Sequence, residues 1–580
     1  MLREIPEDAS LRQQWDALLS RVEQPQVFYT YEWALAVYRA YGASLRPWLF
    51  LVHDGQDSLS GVAALAADTT GKQVSFLCAT TGDYCDFLSA ADQRPALVKA
   101  VLGQLKAQGI ERLTLTNLPA DSATIPALRE AAQQHKFLCH MRTAYVCAQV
   151  ALDTLERRGD HNPVLPRKKM LRRFLNAMGR ENPVRLDHSR SCGAIHAVLP
   201  EFIQSHVARF LVTGRISNMA RPERRQFLAE LAKLLSDSGS VVLTRMMSGD
   251  RVFAWNYGFQ FQGTWFWYQP AFDSDLEKYS PGFCLLAKVI EEAADNPALR
   301  IVDLGLGAED YKERFANRTR ETLFVSLRTS VLEHYREIMR DWASSAVRAS
   351  REVELAVRSV LGWLERIRKS GASGALRGTA RWLGSLLWSS AEICFYEWCG
   401  PIRQTAGTAR IQRMELHHLA SAVLKYADDE ETLSYLLRST RRLRSENGEG
   451  FVLLDPAGTP LHFAWASSFE RTFVLAWRGK VEAPSPEDVL LSGCWTPAPV
   501  RGRGYGGQAL ELIAGQLSIR GKRAWTFSGT AGEPWIRALK KAGFRQRYAL
   551  VRRSVLGRKT INFHPLASQD LSHEEVSARV

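Results

Sequence analysis

A short segment rich in glycine and arginine, Val500 to Leu510, constrains the fold of this chain more than any other stretch. It follows a run that alternates as a strand does, Val489 to Thr496, and leads into a run with apolar residues at helical spacing, Gln508 to Leu517. A turn between a strand and a helix leaves backbone N–H groups free at the helix start, where the helix dipole favours an anion. Glycine lets the backbone approach a phosphate closely, and arginine adds positive charge. The segment therefore predicts a binding site for an anionic cofactor.

The cofactor contacts are expected from eight consecutive residues, named here the glycine–arginine turn: Val500, Arg501, Gly502, Arg503, Gly504, Tyr505, Gly506 and Gly507. The order R-x-x-G-x-G in this turn resembles the coenzyme A signature of the GNAT acyltransferase superfamily. The turn has neither the lysine and Ser/Thr of a P-loop nor the spacing G-x-G-x-x-G. Further along, Trp535 to Phe544 resembles the last helix of a GNAT domain and the Gly-Phe turn after it. The resemblance implies a C-terminal GNAT domain that binds acetyl-CoA or another acyl-CoA as donor.

The acid and the base of this C-terminal domain are less clearly marked. Leu539 stands where many GNAT enzymes have the tyrosine that protonates the leaving thiolate, so the acid is not identified. Tyr505 and Tyr548 are alternatives, each with packing as the competing interpretation. Glu487 precedes the strand that feeds the turn, roughly where GNAT carboxylates lie, and is our candidate base. A solvated turn is the competing interpretation of Glu487.

The composition fits an intracellular protein of several domains. With 580 residues, of which 46% are hydrophobic, the chain has material for about three or four domains. Its nine cysteines form no C-x-x-C pair, so neither a zinc site nor a disulfide framework is predicted, and no metal is expected. No uncharged apolar run reaches the length of about 18 residues that spans a bilayer, and the N-terminus is too acidic for a signal peptide. We therefore expect a cytoplasmic location.

The net charge of +14 indicates anionic partners. Coenzyme A, an acidic acyl carrier protein, an anionic lipid surface and nucleic acid all satisfy this requirement. The charge does not choose among them.

Two stretches, residues 1–160 and 161–330, each alternate strand-like and helix-like runs in an α/β order. Three blocks of the second stretch resemble CelD-type acetyltransferases, which are similar to FemAB proteins in being a double GNAT fold. These blocks are Tyr268 to Asp273, Tyr279 to Gly282 and Val302 to Lys312. The resemblance covers about residues 20–330 and implies a pocket between the two halves.

The fold class that follows is α/β (α+β), with tandem GNAT-like folds. The expected organisation is a double GNAT module over 1–160 and 161–330, an amphipathic helical connector over 331–408, a C-terminal GNAT domain over 409–565 and a tail over 566–580.

The resemblance also implies that polar side chains of both halves converge on the pocket. The catalytic candidates are Asp303, Lys312, His206 and Tyr311. A carboxylate, an ammonium group and a phenol can orient a nucleophile and stabilise an oxyanion, and the pKa of histidine suits a general base. The candidates for substrate contact are Asp83, Asp86, Tyr268, Ser280 and Glu309. The competing interpretations are an exposed loop with an internal ion pair and, for His206, a structural histidine.

Residues 331–400 differ in amino-acid composition from the rest of the chain. Apolar residues at helical spacing alternate with arginines over 335–367, and a second apolar patch rich in tryptophan extends from Trp382 to Trp398. This pattern predicts basic, amphipathic helices. Such helices lie at a lipid interface or pack on neighbouring domains, and both interpretations remain open.

The working function is acyl transfer from acetyl-CoA, another acyl-CoA or an acyl carrier protein to an amine or hydroxyl of a cell-envelope polysaccharide or lipid precursor. One alternative is FemAB-like aminoacyl transfer from charged tRNA, with the basic run Arg167 to Arg173 on the RNA backbone. That run is short and lacks aromatic residues, so nucleic acid is not the expected partner. The other alternative is a noncatalytic, membrane-associated assembly protein. This alternative remains open because Leu539 stands in place of the usual GNAT tyrosine. Peripheral contact with the inner face of the cytoplasmic membrane would run through residues 331–400.

Overall fold

The structure is a computed structural model that describes residues 1–155, 165–307, 309–348, 388–402, 410–445, 448–469, 472–474, 479–481, 485, 487–529, 533–555 and 558–565. The chain divides into two compact units. The first comprises Met1–Arg209 and Asn218–Ala349, and the second comprises Phe210–Ser217 and Ser350–Val580. No helix in the described ranges combines the length and the apolar character needed to cross a bilayer.

The first unit is built on one sheet, to which twelve strands of the described residues belong. The strands are β1 Arg46–His53, β2 Leu59–Ala67, β3 Gln73–Phe76, β4 Leu88–Ser89, β5 Arg112–Pro119, β6 Leu138–Ala151, β7 Arg185–Ser189, β8 Val241–Ser248, β9 Arg251–Phe261, β10 Thr264–Phe272, β11 Ile301–Asp303 and β12 Arg318–Arg328. Their order across the sheet is β1-β2-β3-β5-β12-β6-β11-β10-β9-β8-β7, with β4 beside β2. The helices of this part of the chain are α1 Ala9–Leu19, α2 Tyr31–Tyr41, α3 Arg94–Ala107, α4 Thr124–Gln134, α5 Lys168–Met178, α6 Cys192–Val212, α7 Pro222–Leu235, α8 Pro281–Asp295, α9 Asp310–Glu313 and α10 Val331–Arg348.

The two halves of the first unit repeat one arrangement of strands. In the first half, β3 and β5 run parallel and are joined through α3, and in the second half β10 and β11 run parallel and are joined through α8. The last strand of the first half is β6, and the last strand of the second half is β12. The two halves exchange these strands: β12 pairs with β5 of the first half, β6 pairs with β11 of the second half, and β6 and β12 pair with each other. The predicted α/β fold with a double module is therefore confirmed, and one sheet runs through both halves.

Local sequence explains the helices that flank the second half. α8 begins at Pro281, because the fixed φ of proline suits the first helical position and its missing N–H costs no hydrogen bond there. Its apolar residues, Phe283 to Ala294, are buried in a core with Trp265, Trp267 and Val302. α2 begins after Thr30, whose hydroxyl oxygen accepts a hydrogen bond of 3.2 Å from the Trp33 N–H. These two helices cover opposite faces of β10.

Helix α10 is attached to the sheet through acidic side chains on one of its faces. Glu337 accepts hydrogen bonds from Arg328 Nε at 2.6 Å, Ser326 Oγ at 2.6 Å and Arg112 Nη2 at 2.9 Å. One turn later, Asp341 accepts from a β6 guanidinium at 3.0 Å. Glu337 is buried, so this ion-pair network fixes the position of α10 on β5 and β12.

The second unit has a sheet of eight strands among its described residues, in the order β14-β15-β16-β19-β20-β13-β21-β22, and a separate hairpin of β17 and β18. The strands are β13 Trp388–Trp398, β14 Arg410–Arg413, β15 Glu449–Leu454, β16 Pro460–Ser468, β17 Thr472–Val474, β18 Gly479–Val481, β19 Asp488–Trp495, β20 Arg523–Ser528, β21 Phe544–Val555 and β22 Arg558–Pro565. The helices are α11 Leu416–Lys425, α12 Glu430–Arg444, α13 Tyr505–Ile519 and α14 Glu533–Lys541.

The arrangement of the first unit recurs here. β19 and β20 run parallel and are joined through α13. β13 lies between β20 and β21 and is antiparallel to both, as β12 is between β5 and β6. The described residues thus contain three copies of one strand arrangement, as the prediction of a double module followed by a single domain requires.

The prediction that residues 331–408 form a helical connector is wrong for Trp388–Trp398, which is the strand β13. Ile393 and Phe395 face one core of the second unit, whereas Tyr396 and Trp398 face the other. This alternation has the period of a strand. Aromatic residues favour strands, and a short apolar run cannot be assigned to helix or strand by periodicity alone. Of the remaining connector, residues 349–387 lie outside the described residues, as does the tail 566–580.

Candidate functional site

The parallel strands β10 and β11 separate at their carboxyl ends. They pair only over Thr264–Phe266 and Ile301–Asp303. The register between β10 and β9 shifts between Phe266 and Gln269, and an irregularity of this kind bends a strand away from its partner. Open α/β sheets bind ligands outside the carboxyl ends of their strands. The opening between β10 and β11 is therefore the candidate active site of the first unit.

Asp303 ends β11 and is fixed by three hydrogen bonds. Its Oδ2 atom accepts from Tyr84 Oη at 2.8 Å and from Gln149 Nε2 at 2.7 Å, and its Oδ1 atom accepts from the Gly305 N–H at 2.8 Å. Tyr84, Gln149 and Asp303 are all buried. Since Tyr84 and Gln149 come from the first half, the Asp303 carboxylate joins the two halves and positions the groups around it.

Asp83 is the carboxylate that faces this opening. Gly305 has φ +71°, and a β-carbon on it would lie 2.7 Å from Asp83 Oδ2, so the two residues are in close contact. Burial and the neighbouring Asp303 raise the pKa of Asp83 to about 7, although Lys312 and Arg224 act in the opposite direction. A half-buried carboxyl with this pKa exchanges its proton near neutral pH. Asp83, predicted as a substrate contact, therefore has the properties of a general base.

The side chains of α9 close one side of the opening. Lys312 is buried, and its Nζ atom donates to the Leu306 carbonyl at 3.0 Å and lies 3.6 Å from Glu309 Oε2. Burial and the Glu309 carboxylate raise the pKa of Tyr311 above its ordinary range. Lys312 therefore acts on Asp83 through its charge, and Tyr311 remains a neutral phenol.

Tyr268 and Arg224 form the opposite side. Tyr268 Oη donates to the Thr81 carbonyl and accepts from Arg224 Nη2 at 2.7 Å. Both side chains are buried, and burial raises the pKa of Tyr268. Tyr268 thus joins β10 to the loop that carries Asp83. Arg224 was missed by the sequence analysis, because Pro222 to Arg225 reads as an exposed helix start.

Three other candidates are placed less favourably for chemistry. His206 is buried, and burial together with Arg209 and Arg224 lowers its pKa to about 3, which argues against its role as general base. Asp86 accepts from Ser122 Oγ and Thr124 Oγ1, both at 2.5 Å, so its oxygens are engaged within the first half. Ser280, in a left-handed conformation with φ 46°, is the residue before α8.

The glycine–arginine turn of the second unit joins β19 to α13. Gly502 and Gly504 have φ +81° and +82°, a left-handed region that favours glycine. Arg501 Nε donates to the Thr496 carbonyl at 2.9 Å, and its Nη2 atom donates to Glu431 Oε2 at 3.2 Å. Gly504 precedes α13 and has no side chain to cap the first-turn N–H groups. The turn therefore presents backbone donors on a fixed support.

A buried histidine that the sequence analysis missed lies beneath this turn. His462 is 1% exposed, its Nδ1 atom is 2.7 Å from Thr496 Oγ1, and burial lowers its pKa to about 3. A β-carbon on Gly506 would lie 3.0 Å from the Trp535 ring and 3.4 Å from His462. Glycine at 506 is thus needed for close packing of α13, which no local sequence signal reveals.

The acid–base candidates of the second unit do not meet at the turn. Glu487 precedes β19, whereas the turn follows it, and the eight residues of β19 span about 26 Å at about 3.3 Å per residue. The structure therefore does not bring Glu487 to the turn, and its role as base stays a prediction. Tyr548 stacks on Phe395 at 4.8 Å, and Leu539 is buried in the core, as packing residues are.

Replacing Gly305 with alanine is expected to impair the site in the first unit. The added methyl group would displace the Asp83 carboxylate, so kcat/KM should fall by about tenfold or more, with about 1–3 kcal/mol of stability lost to the strain of a positive φ. The matched control is Gly307→Ala, because Gly307 has φ +95° but no atom within 4 Å of a built β-carbon. Thermal unfolding and steady-state rates measure both effects. Equal rates in the two variants would contradict the role of this contact.

One protein-family model matches the part of the chain that includes β10 and β11. Residues 166–313 match the family model described as an acetyltransferase (GNAT) domain. No curated protein matches the chain.

Three solved structures each cover about half of the chain, at low identity. L-PGS from Bacillus licheniformis shares 11% identity over 59% of this chain and 98% of its own, with a TM-score of 0.38. FemX shares 10% identity over 54% and 95%, with a TM-score of 0.39. A tandem GNAT protein from the clavulanic acid biosynthesis pathway shares 12% identity over 55% and 95%, with a TM-score of 0.32.

The family match begins just before α5 and ends with α9. It includes both strands of the parallel pair and the side chains of Tyr268, Asp303 and Lys312. The predicted resemblance to GNAT proteins is confirmed for this stretch. Residues 166–313 are therefore similar to GNAT acetyltransferase domains.

Proposed function

We propose that the chain transfers an acyl group from a thioester to an amine or hydroxyl, with Asp83 as the general base. The observation that carries this proposal is the half-buried Asp83 carboxyl at the open end of β10 and β11, against Gly305 and beside Asp303. Asp83 comes from the first half and meets the GNAT domain at the position where that domain opens. Both halves are then required for one active site.

The chemistry follows from the positions of these groups. Asp83 takes the proton from the nucleophilic nitrogen or oxygen, which attacks the thioester carbonyl directly. The tetrahedral intermediate collapses, the thiolate leaves, and the proton ends on the thiol. Asp303, Tyr268 and Lys312 fix the base and its surroundings, and positioning of the two reactants supplies much of the rate.

The donor is proposed to be acetyl-CoA, another acyl-CoA or an acyl carrier protein. For the reaction at Asp83 the donor binds in the first unit. The glycine–arginine turn supports a separate coenzyme A site in the second unit, because its left-handed glycines and uncapped helix start suit a pyrophosphate. The acceptor is proposed to be a saccharide or lipid precursor of the cell envelope. This finer assignment rests on the resemblance to CelD-type proteins.

Aminoacyl transfer from charged tRNA is the second candidate, and helix α5 favours it. Arg167, Lys168, Lys169, Arg172 and Arg173 are exposed, while Leu171 and Met178 of the same helix are buried. Phe174 of α5 contacts Tyr279, next to the start of α8, with ring centroids 6.2 Å apart. A basic face at this place suits a polyanion. Binding of tRNA that weakens steeply with salt would support this candidate.

Titration of acetyl-CoA into the full chain by calorimetry tests the coenzyme A site at the glycine–arginine turn. The double variant Arg501→Glu/Gly504→Val is expected to weaken binding at this turn at least about thirtyfold, because it reverses a charge and strains the turn. The matched control is Gly521→Val, since Gly521 has φ +72° and lies just beyond the other end of α13. The control should bind acetyl-CoA as the wild type does.

Each other result of this titration has a defined meaning. Equal binding by the double variant would contradict a coenzyme A site at the glycine–arginine turn and leave the site at Asp83 as the donor site. Absence of binding to the wild type would direct the search to an acyl carrier protein or charged tRNA. Where acetyl-CoA binds, release of free thiol on addition of amines and alcohols identifies the acceptor class.

A further inference from the structure

One face of α10 exposes five large apolar side chains. They are Val331, Leu332, Tyr335, Met339 and Trp342, with exposed fractions of 59%, 60%, 62%, 60% and 68%. At about 100° per residue these positions fall within an arc of about 100°, so they form one continuous stripe. We name this stripe the apolar face of α10.

This face is not needed to attach the helix to its own unit. Glu337 and Asp341, on the other side of α10, make the buried and half-buried ion pairs with the sheet. Single exposed apolar residues are common on soluble proteins, but a contiguous set of five marks an interaction site. The helix is thus fixed on one side and presents an apolar stripe on the other.

The charges beside the stripe indicate what covers it. Arg336 and Arg340 are exposed and continue the helical surface directly after the apolar arc, and Arg336 lies 2.7 Å from Glu333. The whole chain carries +14. A second copy of the chain would bring like charges together, whereas an anionic lipid surface attracts them. Tryptophan and tyrosine also prefer the boundary between lipid headgroups and acyl chains.

We propose that the apolar face of α10 adsorbs to an anionic lipid surface, with Met339 and Trp342 entering the headgroup boundary and Arg336 and Arg340 contacting lipid phosphates. The axis of α10 lies in the plane of the interface, as in other amphipathic helices that bind lipid. This inference does not depend on the proposed acyl transfer. It narrows the expected membrane contact of residues 331–400 to one face of one helix.

Sedimentation of the full chain with vesicles tests the proposal. Vesicles of phosphatidylcholine with phosphatidylglycerol are compared with vesicles of phosphatidylcholine alone. The wild type is expected to bind the anionic vesicles, and Met339→Glu/Trp342→Glu is expected to weaken that binding at least about tenfold. Arg336→Gln/Arg340→Gln should weaken binding to the anionic vesicles by about thirtyfold, since each of the two basic residues near the surface contributes about 1 kcal/mol.

The matched control is Ile402→Glu/Ile519→Glu, which adds the same charge at two exposed apolar residues elsewhere, 54% and 70% exposed. It should reduce vesicle binding by less than about threefold. All variants change exposed side chains, so their thermal unfolding should match the wild type.

Four results would overturn the proposal. They are failure of the wild type to bind anionic vesicles, equal loss in the control, unchanged binding by Met339→Glu/Trp342→Glu, and a wild-type dimer that this variant dissociates. Light scattering after size exclusion detects the dimer. The third result would assign lipid contact to another part of the chain, and the fourth would assign the apolar face to a second copy.

Discussion

Replacement of Asp83 with asparagine is expected to lower kcat/KM for acyl transfer by about 10²- to 10⁴-fold, the usual contribution of a general base. Asparagine has nearly the same shape and cannot take a proton. The loss should therefore appear without loss of the fold. Steady-state release of free thiol, measured with the acceptor that the wild type uses, gives the comparison.

The pH dependence gives an independent check on this residue. Because the pKa of Asp83 is about 7 and the base acts when ionised, kcat/KM of the wild type should rise with pH through about 7 and then level off. The Asp83→Asn variant should lack this rise. Glu111→Gln, at a side chain that is 56% exposed and pairs with Lys72 away from the site, is the control and should keep both the rate and the pH profile.

The Asp83→Asn substitution should raise the stability of the protein while it lowers the activity. The pKa of Asp83 is raised from its unfolded value of 3.8 to about 7, so the folded protein holds this proton more tightly between these pH values. Stability of the wild type is therefore lost as pH rises from about 4 to about 7. Asp83→Asn should melt at a higher temperature than the wild type above pH about 7, and the difference should vanish near pH about 4. A variant that is active and less stable would instead show that Asp83 is structural.

Replacement of Glu337 with alanine is expected to destabilise the first unit by about 3 kcal/mol, or roughly 150-fold in the unfolding equilibrium. The change removes the acceptor of Arg328, Ser326 and Arg112 and leaves two guanidinium groups without their carboxylate. Urea unfolding followed by circular dichroism measures the loss. Because the chain has two units, the first unit's transition must be resolved separately.

The same ion pairs predict a sensitivity to acid. Hydrogen bonds from Arg328 and Ser326 lower the pKa of Glu337 despite its burial. The contribution of the Glu337 carboxylate to the free energy of unfolding is therefore complete above its unfolded pKa of 4.5. It is lost as pH falls through the lower pKa of the folded protein. Glu333→Ala is the control, because Glu333 is 46% exposed and its pairs should contribute less than about 1 kcal/mol. Equal effects of the two substitutions would contradict a structural role for the buried network.

The order of strands and helices was predictable because it rests on local patterns. Alternating apolar residues and the Ser280-Pro281 helix start indicate their elements correctly. Asp303 ends a strand, as its place in the sequence indicated. These signals lie within a few residues of each other in the sequence.

What the sequence could not predict depends on distant contacts. His206 suits a general base until its burial next to Arg209 and Arg224 is known, and Asp83 gains its pKa from Asp303, far along the chain. Trp388–Trp398 has the composition of an interfacial segment, yet it fills the middle of a sheet. Each of these environments is created by pairing between remote segments.

The exchange of β6 and β12 has a consequence for the synthesis of the chain. In the first half β5 pairs with β12. During synthesis the edge of β5, Arg112–Pro119, therefore stays uncovered until Arg318–Arg328 has left the ribosome. Contacts over such a distance slow folding, and uncovered strand edges promote aggregation in the meantime. A fragment of residues 166–313 would likewise lack both exchanged strands. The two halves can therefore be duplicated, expressed or transplanted only as a pair.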